Sequence, residues 1–198
     1  MARRLYISGM VRVQRLARFA PLVGWIVFLL GVPGIGRGQN FQAKRGTIAF
    51  KSEAPLELIQ ASSGKLRGAL NPGNRTFAFA VNMASFEGFN SALQRQHFNE
   101  NYLESHKYPD ATFLGKIIEE VDFSQNGTYT VRAKGTLKIH NIEQERIIRS
   151  TMTVTGKVID IKAEFDVPLT DHQITIPKIV SQKIAEVIHV TMTITLQR

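Results

Sequence analysis

The sequence contains no cysteine, so the folded chain has neither disulfide bonds nor thiolate ligands for a metal. It also lacks the common signatures of nucleophilic, phosphate-binding and zinc-dependent enzymes, because no GxSxG, P-loop, GxGxxG or HExxH motif is present. The five histidines are scattered and form no pair with ligand spacing. These absences predict a domain held together by apolar burial alone, without a cofactor or a metal, and they favour binding over catalysis.

Acidic residues are missing from the first 38 positions, which contain six arginines. This segment supplies six of the nine net positive charges, so residues 39–198 carry only +3 and no nucleic-acid partner is expected. Residues 19–36 are uncharged and mostly apolar, and the small residues Gly36 and Gly38 suit a signal peptidase. The pattern predicts a signal peptide over residues 1–38, with a retained membrane anchor as the alternative, and in either case places the remaining chain outside the cytoplasm.

A period of two dominates residues 39–198, which contain no second long apolar run and no internal repeat. Along residues 129–139, Val131 and Leu137 fall on an apolar face while Arg132 and Lys134 fall on a polar one. The same alternation recurs at 77–83, 159–167 and 188–196, with turn compositions such as 71–74 and 125–127 between the strands. We therefore predict one mainly β domain over residues 39–198, built as an antiparallel barrel or sandwich.

Residues 89–108 interrupt this rhythm, because their apolar side chains lack a period of two. The composition predicts short helical turns that end before Pro109, since the residue preceding a proline avoids helical backbone angles. The prediction is a short helical insert beside the sheet.

The segment from His97 to Ile117, HFNENYLESHKYPDATFLGKI, resembles the signature of the YceI-like family, especially of its members from Bacteroidetes-type bacteria. Residues 129–140 and the threonine-rich last strand are similar to the same family. The resemblance implies a lipocalin-like antiparallel β-barrel with a helix against it. It also implies a periplasmic location and a hydrophobic tunnel for a polyisoprenoid, an isoprenoid quinone or a fatty-acid derivative. The chain departs from the family at residues 46–53, where the usual first-strand motif of an aromatic residue, an aspartate and a histidine is missing, and at Asn141, where glycine is common.

If such a tunnel exists, the phenylalanines that recur on successive strands are candidates for its wall. We expect Phe98 and Tyr102 to cover one end. The complete set of expected ligand-binding residues is Phe79, Val81, Met83, Phe86, Phe98, Tyr102, Phe113, Ile117, Val131 and Leu137. A transient membrane contact and a homodimer are further expectations of this interpretation.

Two other interpretations compete with a lipid carrier. A filled-core β-sandwich would serve as a structural or protein-interaction module of the cell envelope, and it would have no internal cavity. An enzyme acting on a lipid would require polar groups near the insert, such as His97, Glu100 and His106, to converge within hydrogen-bonding distance.

Overall fold

A computed structural model describes residues 39–198. The strands of the fold alternate between inward apolar and outward polar side chains. In the strand Gly127–Ile139, for example, Val131 and Leu137 are buried while Arg132 and Lys134 face solvent. The nine strands are β1 (Phe41–Glu53), β2 (Leu58–Ser63), β3 (Arg67–Leu70), β4 (Thr76–Asn82), β5 (Asp110–Ile117), β6 (Gly127–Ile139), β7 (Ile142–Thr155), β8 (Val158–Pro168) and β9 (Val187–Gln197). The predicted signal peptide at residues 1–38 lies outside the described residues.

The sheet is antiparallel and closes on itself through its first and last strands. β1 is paired with β9 along residues 42–51, and its other edge is paired with β3 at one end and with β2 at the other. Because β2 and β3 follow one another along the same edge of β1, the ring contains eight strand positions. The prediction of a mainly β, antiparallel barrel is therefore confirmed, and a closed sheet excludes the β-sandwich of the competing interpretation.

The predicted helical insert is also present, between β4 and β5. The helix α1 (Ala92–His97) begins at Ser91, whose hydroxyl accepts a hydrogen bond from the backbone N–H of Gln94, and it continues into one π-helical turn at Phe98–Tyr102. No side chain of α1 itself is buried, so the helix lies against the barrel rather than in its core. Within residues 39–198 the structure also contains three 3₁₀ turns, at Met83–Ser85, Leu169–His172 and Lys178–Val180.

Among residues 39–198, no helix combines the length and the apolar composition that crossing a membrane requires.

Candidate functional site

The interior of the barrel is filled at one end. The side chains that fill it come from the first residues of β1 and β8 and from the last residues of β3, β7 and β9, and they have almost no solvent exposure. Phe123, from the loop between β5 and β6, packs against Phe41 with ring centroids 6.3 Å apart. We call this set the plug: Phe41, Leu70, Phe123, Val154, Ile159 and Leu196.

The other end of the interior is hollow. A cavity of ≈ 350 Å³, the main cavity, lies between the barrel wall, α1 and the segment that follows β8. A smaller cavity of ≈ 80 Å³ lies between the main cavity and the plug. The two share five wall residues from five strands, which we call the neck: Ile48, Val81, Ala111, Leu137 and Phe165.

Four phenylalanines form one wall of the main cavity. Phe50 of β1 stacks on Phe98 with ring centroids 5.4 Å apart, and Phe86 and Phe89 lie within 6 Å of both rings. These offset and edge-on arrangements are the ones that aromatic pairs prefer. The insert thus covers the hollow end of the barrel with apolar surface suited to a hydrocarbon.

All ten side chains expected to line a tunnel lie in the wall of one of the two cavities. Met83, Phe86, Phe98 and Tyr102 line the main cavity, whereas Phe79, Phe113, Ile117 and Val131 line the smaller one. Val81 and Leu137 belong to the neck. That these residues contact a bound lipid stays a prediction.

Several wall residues were not predicted, because they lie in segments with weak patterns. Ile48 and Phe50 follow an irregularity of β1 between Ala43 and Arg45, which shifts the inward positions along the strand. A second group belongs to the segment after β8, which has no strand period. This group comprises Leu169, Ile174, Val180 and Ile184. Only the alternation of Ile48, Phe50 and Ser52 offered a usable signal for any of them.

Polar groups of the main cavity are few and gather where the insert meets the strand ends. Gln94 donates a hydrogen bond to Glu57 at 2.5 Å, and the buried hydroxyl of Ser52 accepts one from the backbone N–H of Ala185 at 2.9 Å. Burial raises the pKa of Tyr102 above its ordinary value, and the phenol, which is protonated at neutral pH in any case, is available as a donor. An apolar cavity with polar groups at one end is complementary to an amphipathic ligand.

The residues expected to converge in an enzyme are not joined in the structure. Glu100 accepts a hydrogen bond from Gln96, and the described residues show none that links it to His97 or His106. His97 lines the main cavity whereas His106 does not, and both residues are exposed. Within residues 39–198 there is also no group of three histidine or acidic side chains that could hold a metal ion.

A polar network anchors the segment after β8 to the barrel. Nε2 of His140 lies 3.0 Å from Oε2 of Glu104, and Nδ1 of His140 lies 3.3 Å from the carbonyl oxygen of His172. Hydrogen bonds from Lys107 and His140 lower the pKa of Glu104, which keeps that carboxylate ionised. The network therefore joins three segments that lie next to the wall of the main cavity. They are the end of the insert, the β6–β7 hairpin and the turn at Leu169–His172.

His172 is the buried member of this network, with no exposed surface. Its Nδ1 lies 3.1 Å from the carbonyl oxygen of Ile142, which can only accept, so Nδ1 carries the hydrogen. Its Nε2 is buried and has no hydrogen-bond partner among the described residues. Burial lowers the pKa of His172, because a proton added at Nε2 would create a charge that is removed from water.

This environment predicts that the fold loses stability in mild acid. The unfolded chain protonates His172 near its ordinary pKa of about 6.5, whereas the folded chain does so only at lower pH. The free energy of unfolding is therefore undiminished by His172 above pH ~6.5. It falls as the pH drops from there toward the lowered pKa of the folded state. Urea unfolding at several pH values in this range measures how steeply the free energy of unfolding falls with decreasing pH. We expect this slope to be flatter in His172→Gln than in the original protein, because glutamine keeps a donor for the carbonyl oxygen of Ile142 but does not titrate.

His106→Gln is the matched control, because it removes an exposed imidazole and should leave the slope unchanged. Equal slopes in His172→Gln and the original protein would assign the acid sensitivity to other groups.

Comparisons with known proteins agree with this architecture. The family model of YceI-like domains matches residues 39–196. No curated protein is similar enough to the chain to match it.

Solved structures share the fold at low identity. A polyisoprenoid-binding domain from Saccharophagus degradans implicated in plant cell wall breakdown has a TM-score of 0.67 and 12% identity, covering 79% of this chain and 97% of that one. BcnA of Burkholderia cenocepacia has a TM-score of 0.62 and 13% identity over 76% of this chain and 95% of its own. The YCEI protein of Campylobacter jejuni has a TM-score of 0.51 and 12% identity over 92% and 99%. These TM-scores establish a common fold, and at such low identities they establish no more.

Proposed function

Because the chain belongs to the YceI-like family, we propose that it is a non-enzymatic carrier of a long apolar lipid, held in the main cavity and the neck. The observation that carries the proposal is an interior that is closed by the plug at one end and hollow and apolar at the other. A filled barrel would have been equally compatible with the sequence, since a ring of eight strands is just wide enough for its own side chains.

The chemistry of the wall supports an unbranched or prenyl hydrocarbon chain as the buried part of the ligand. Burying apolar chain contributes about 0.8 kcal/mol for each CH₂ group, so about ten such groups would supply roughly 8 kcal/mol before the cost of ordering the chain. The volume of ≈ 350 Å³ lies at the small end of the range for ligand sites. We therefore infer one chain per barrel, of polyisoprenoid, isoprenoid quinone or fatty-acid type, with any excess length outside the cavity.

The orientation of the ligand follows from the distribution of polar groups. Lys183, His97 and Gln94 line the same end of the main cavity, and the plug offers no polar partner. A ligand with a polar end would leave that end beside these side chains and direct its hydrocarbon toward the neck. The polyisoprenoid-binding neighbour from Saccharophagus degradans supports the ligand class.

The proposed location is the periplasm, with the signal peptide at residues 1–38 removed. It rests on the arginine-rich, acid-free segment followed by an uncharged apolar run.

Mass spectrometry of protein recovered from the periplasmic fraction without detergent tests the function directly. We expect the native mass to exceed the denatured mass by several hundred daltons, because denaturation empties the cavity and releases a lipid. The denatured mass of the same sample reports whether residues 1–38 were cleaved. Equal native and denatured masses in repeated preparations, together with no binding of added isoprenoids or fatty acids, would refute the carrier function.

A further inference from the structure

Large apolar side chains are exposed around the hollow end of the barrel. They lie on three segments: the β1–β2 connection with the start of β2, helix α1, and the chain that leads into β9. Ile179 is the extreme case, with 93% of its surface exposed. We call this set the apolar rim: Leu56, Leu58, Leu93, Ile179 and Val187.

Hydrogen bonds join the three segments into one surface. The backbone N–H of Leu56 donates to the carbonyl oxygen of Gln182 at 2.9 Å. The side chain of Asn90, just before α1, donates to the carbonyl oxygen of Leu58 at 2.9 Å. The five side chains of the apolar rim therefore lie on segments that adjoin one another at the hollow end of the barrel, and exposed apolar groups of this kind mark interaction surfaces.

The apolar rim is continuous with the main cavity. Val180 is adjacent to Ile179 in the chain and lines the cavity, as do Ile184 and Glu57 from the same segments. A partner that covers the apolar rim would thus also cover the entrance to the cavity, and a partner made of hydrocarbon would extend the apolar interior outward.

Charges near Ile179 favour an anionic partner. Lys178 and Lys183 lie on either side of it, and among residues 39–198 neither has a carboxylate within 4.0 Å. Of the acids nearby, Glu53 at the end of β1 pairs with Lys51, whereas Glu57 in the β1–β2 connection accepts a hydrogen bond from the neutral amide of Gln94 and keeps its charge. Glu186 is the remaining acid of the segment that leads into β9. Unpaired lysines beside exposed apolar side chains are the usual composition of a surface that lies on an anionic membrane.

We propose that the apolar rim docks on a lipid bilayer, with Ile179 inserted among the lipid chains and Lys178 beside the headgroups. The bilayer is the occupant that matches both observations, because it supplies hydrocarbon for the exposed side chains and anionic headgroups for the lysines. In this position the entrance of the main cavity opens toward the lipid phase. The docking explains how a lipid that is insoluble in water could enter the carrier, and to that extent it rests on the proposed function.

Flotation with vesicles tests the docking on protein released from the periplasmic fraction without detergent. We expect the protein to bind vesicles of phosphatidylcholine mixed with phosphatidylglycerol more strongly than vesicles of phosphatidylcholine alone. Ile179→Glu should weaken this binding about tenfold or more, because it removes an almost fully exposed aliphatic side chain from the bilayer and adds a charge. Lys178→Gln should weaken binding about fivefold on the mixed vesicles and leave binding to phosphatidylcholine unchanged.

Ile147→Glu is the matched control. Ile147 is 58% exposed on β7 and points outward from the barrel wall, so its replacement makes the same chemical change away from the apolar rim. It should leave vesicle binding unchanged. Far-ultraviolet circular dichroism and the thermal midpoint of each variant verify that the fold is retained.

The docking would be overturned if the original protein bound neither kind of vesicle, or if Ile179→Glu and Ile147→Glu lost vesicle binding equally. It would also be overturned if the original protein formed a dimer that dissociates in Ile179→Glu, while vesicle binding is absent. The last result would assign the apolar rim to a second copy of the chain.

The native mass of Ile179→Glu separates this proposal from the carrier function. A retained lipid in a variant that no longer binds vesicles supports docking through the apolar rim, whereas vesicle binding by a protein that never contains lipid supports docking and refutes the carrier.

Discussion

Replacing Ala111 by tryptophan should lower the fraction of protein that carries a lipid about tenfold or more. Ala111 lies on the inner face of β5 and belongs to the neck, so it borders both cavities. An indole there would occupy space that the hydrocarbon of the ligand needs, and a loss of 1.4 kcal/mol in binding is already a tenfold change. Native mass spectrometry of the variant and of the original protein gives the two occupancies.

The fold should survive this substitution, because the added side chain enters empty space rather than a packed core. We expect the thermal midpoint to stay the same or to rise. Ala78→Trp is the control, since Ala78 faces outward on the neighbouring strand β4 and is exposed. Full lipid occupancy in Ala111→Trp would show that the ligand does not pass the neck, and equal losses in both variants would show a general effect of the added tryptophan.

Replacing Phe41 by alanine should reduce the free energy of unfolding by about 3–5 kcal/mol, the usual range for a buried phenylalanine. Phe41 has no exposed surface, packs against Phe123 and lies under the guanidinium of Arg198, which is 4.3 Å from the ring centroid. Truncation would open a void in the plug that tightly paired strand ends cannot close. Urea unfolding, with the dependence on urea concentration unchanged, measures the loss.

Phe98→Ala provides the contrast within the same barrel. Phe98 stacks on Phe50, but it is only partly buried and borders the main cavity, so its removal enlarges an existing space. We expect a smaller loss of stability than in Phe41→Ala and a larger loss of lipid occupancy. The reverse order, with Phe98→Ala the less stable variant, would contradict the division of the barrel into a plug and a hollow end.

The parts of the fold that sequence analysis predicted best are the strands with a simple period. β4, β6, β8 and β9 alternate along most of their length between inward apolar and outward polar or small side chains, so their inward residues could be named from the alternation alone. The insert was recognisable for the opposite reason, because its apolar residues had no such period. Membership of the YceI-like family is confirmed, whereas the assignment to its Bacteroidetes-type members stays a prediction.

β7 escaped recognition because polar side chains occupy its inner face near the hairpin. Gln144 and Arg146 point inward there and bind the turn at Leu169–His172, with Arg146 3.1 Å from the carboxylate of Asp171. Exposed Ile147 follows directly and obscures the alternation further. The hairpin between β6 and β7 turns at His140 and Asn141, which both adopt the left-handed backbone conformation.

The hollow end could not be predicted from the strands, because the same kinds of side chain fill the plug and line the cavities. Whether Val131 meets another side chain or empty space depends on the residues that enter from loops, and loops carry no period. The segment after β8 supplies much of the wall of the main cavity, and its position depends on long-range contacts such as Ser52 with Ala185. Such contacts join residues far apart in the sequence and leave no local signal.

The plug also restricts the way in which the barrel could transfer a lipid. A cavity that is blind at one end cannot act as a conduit between two membranes, since cargo enters and leaves by the same opening. A protein of this shape would carry a lipid as a shuttle. The end of the lipid that enters the cavity last would be the first to leave it. It would have to detach and reorient between donor and acceptor surfaces, so its transfer rate would depend on diffusion across the gap and on the residence time at each surface.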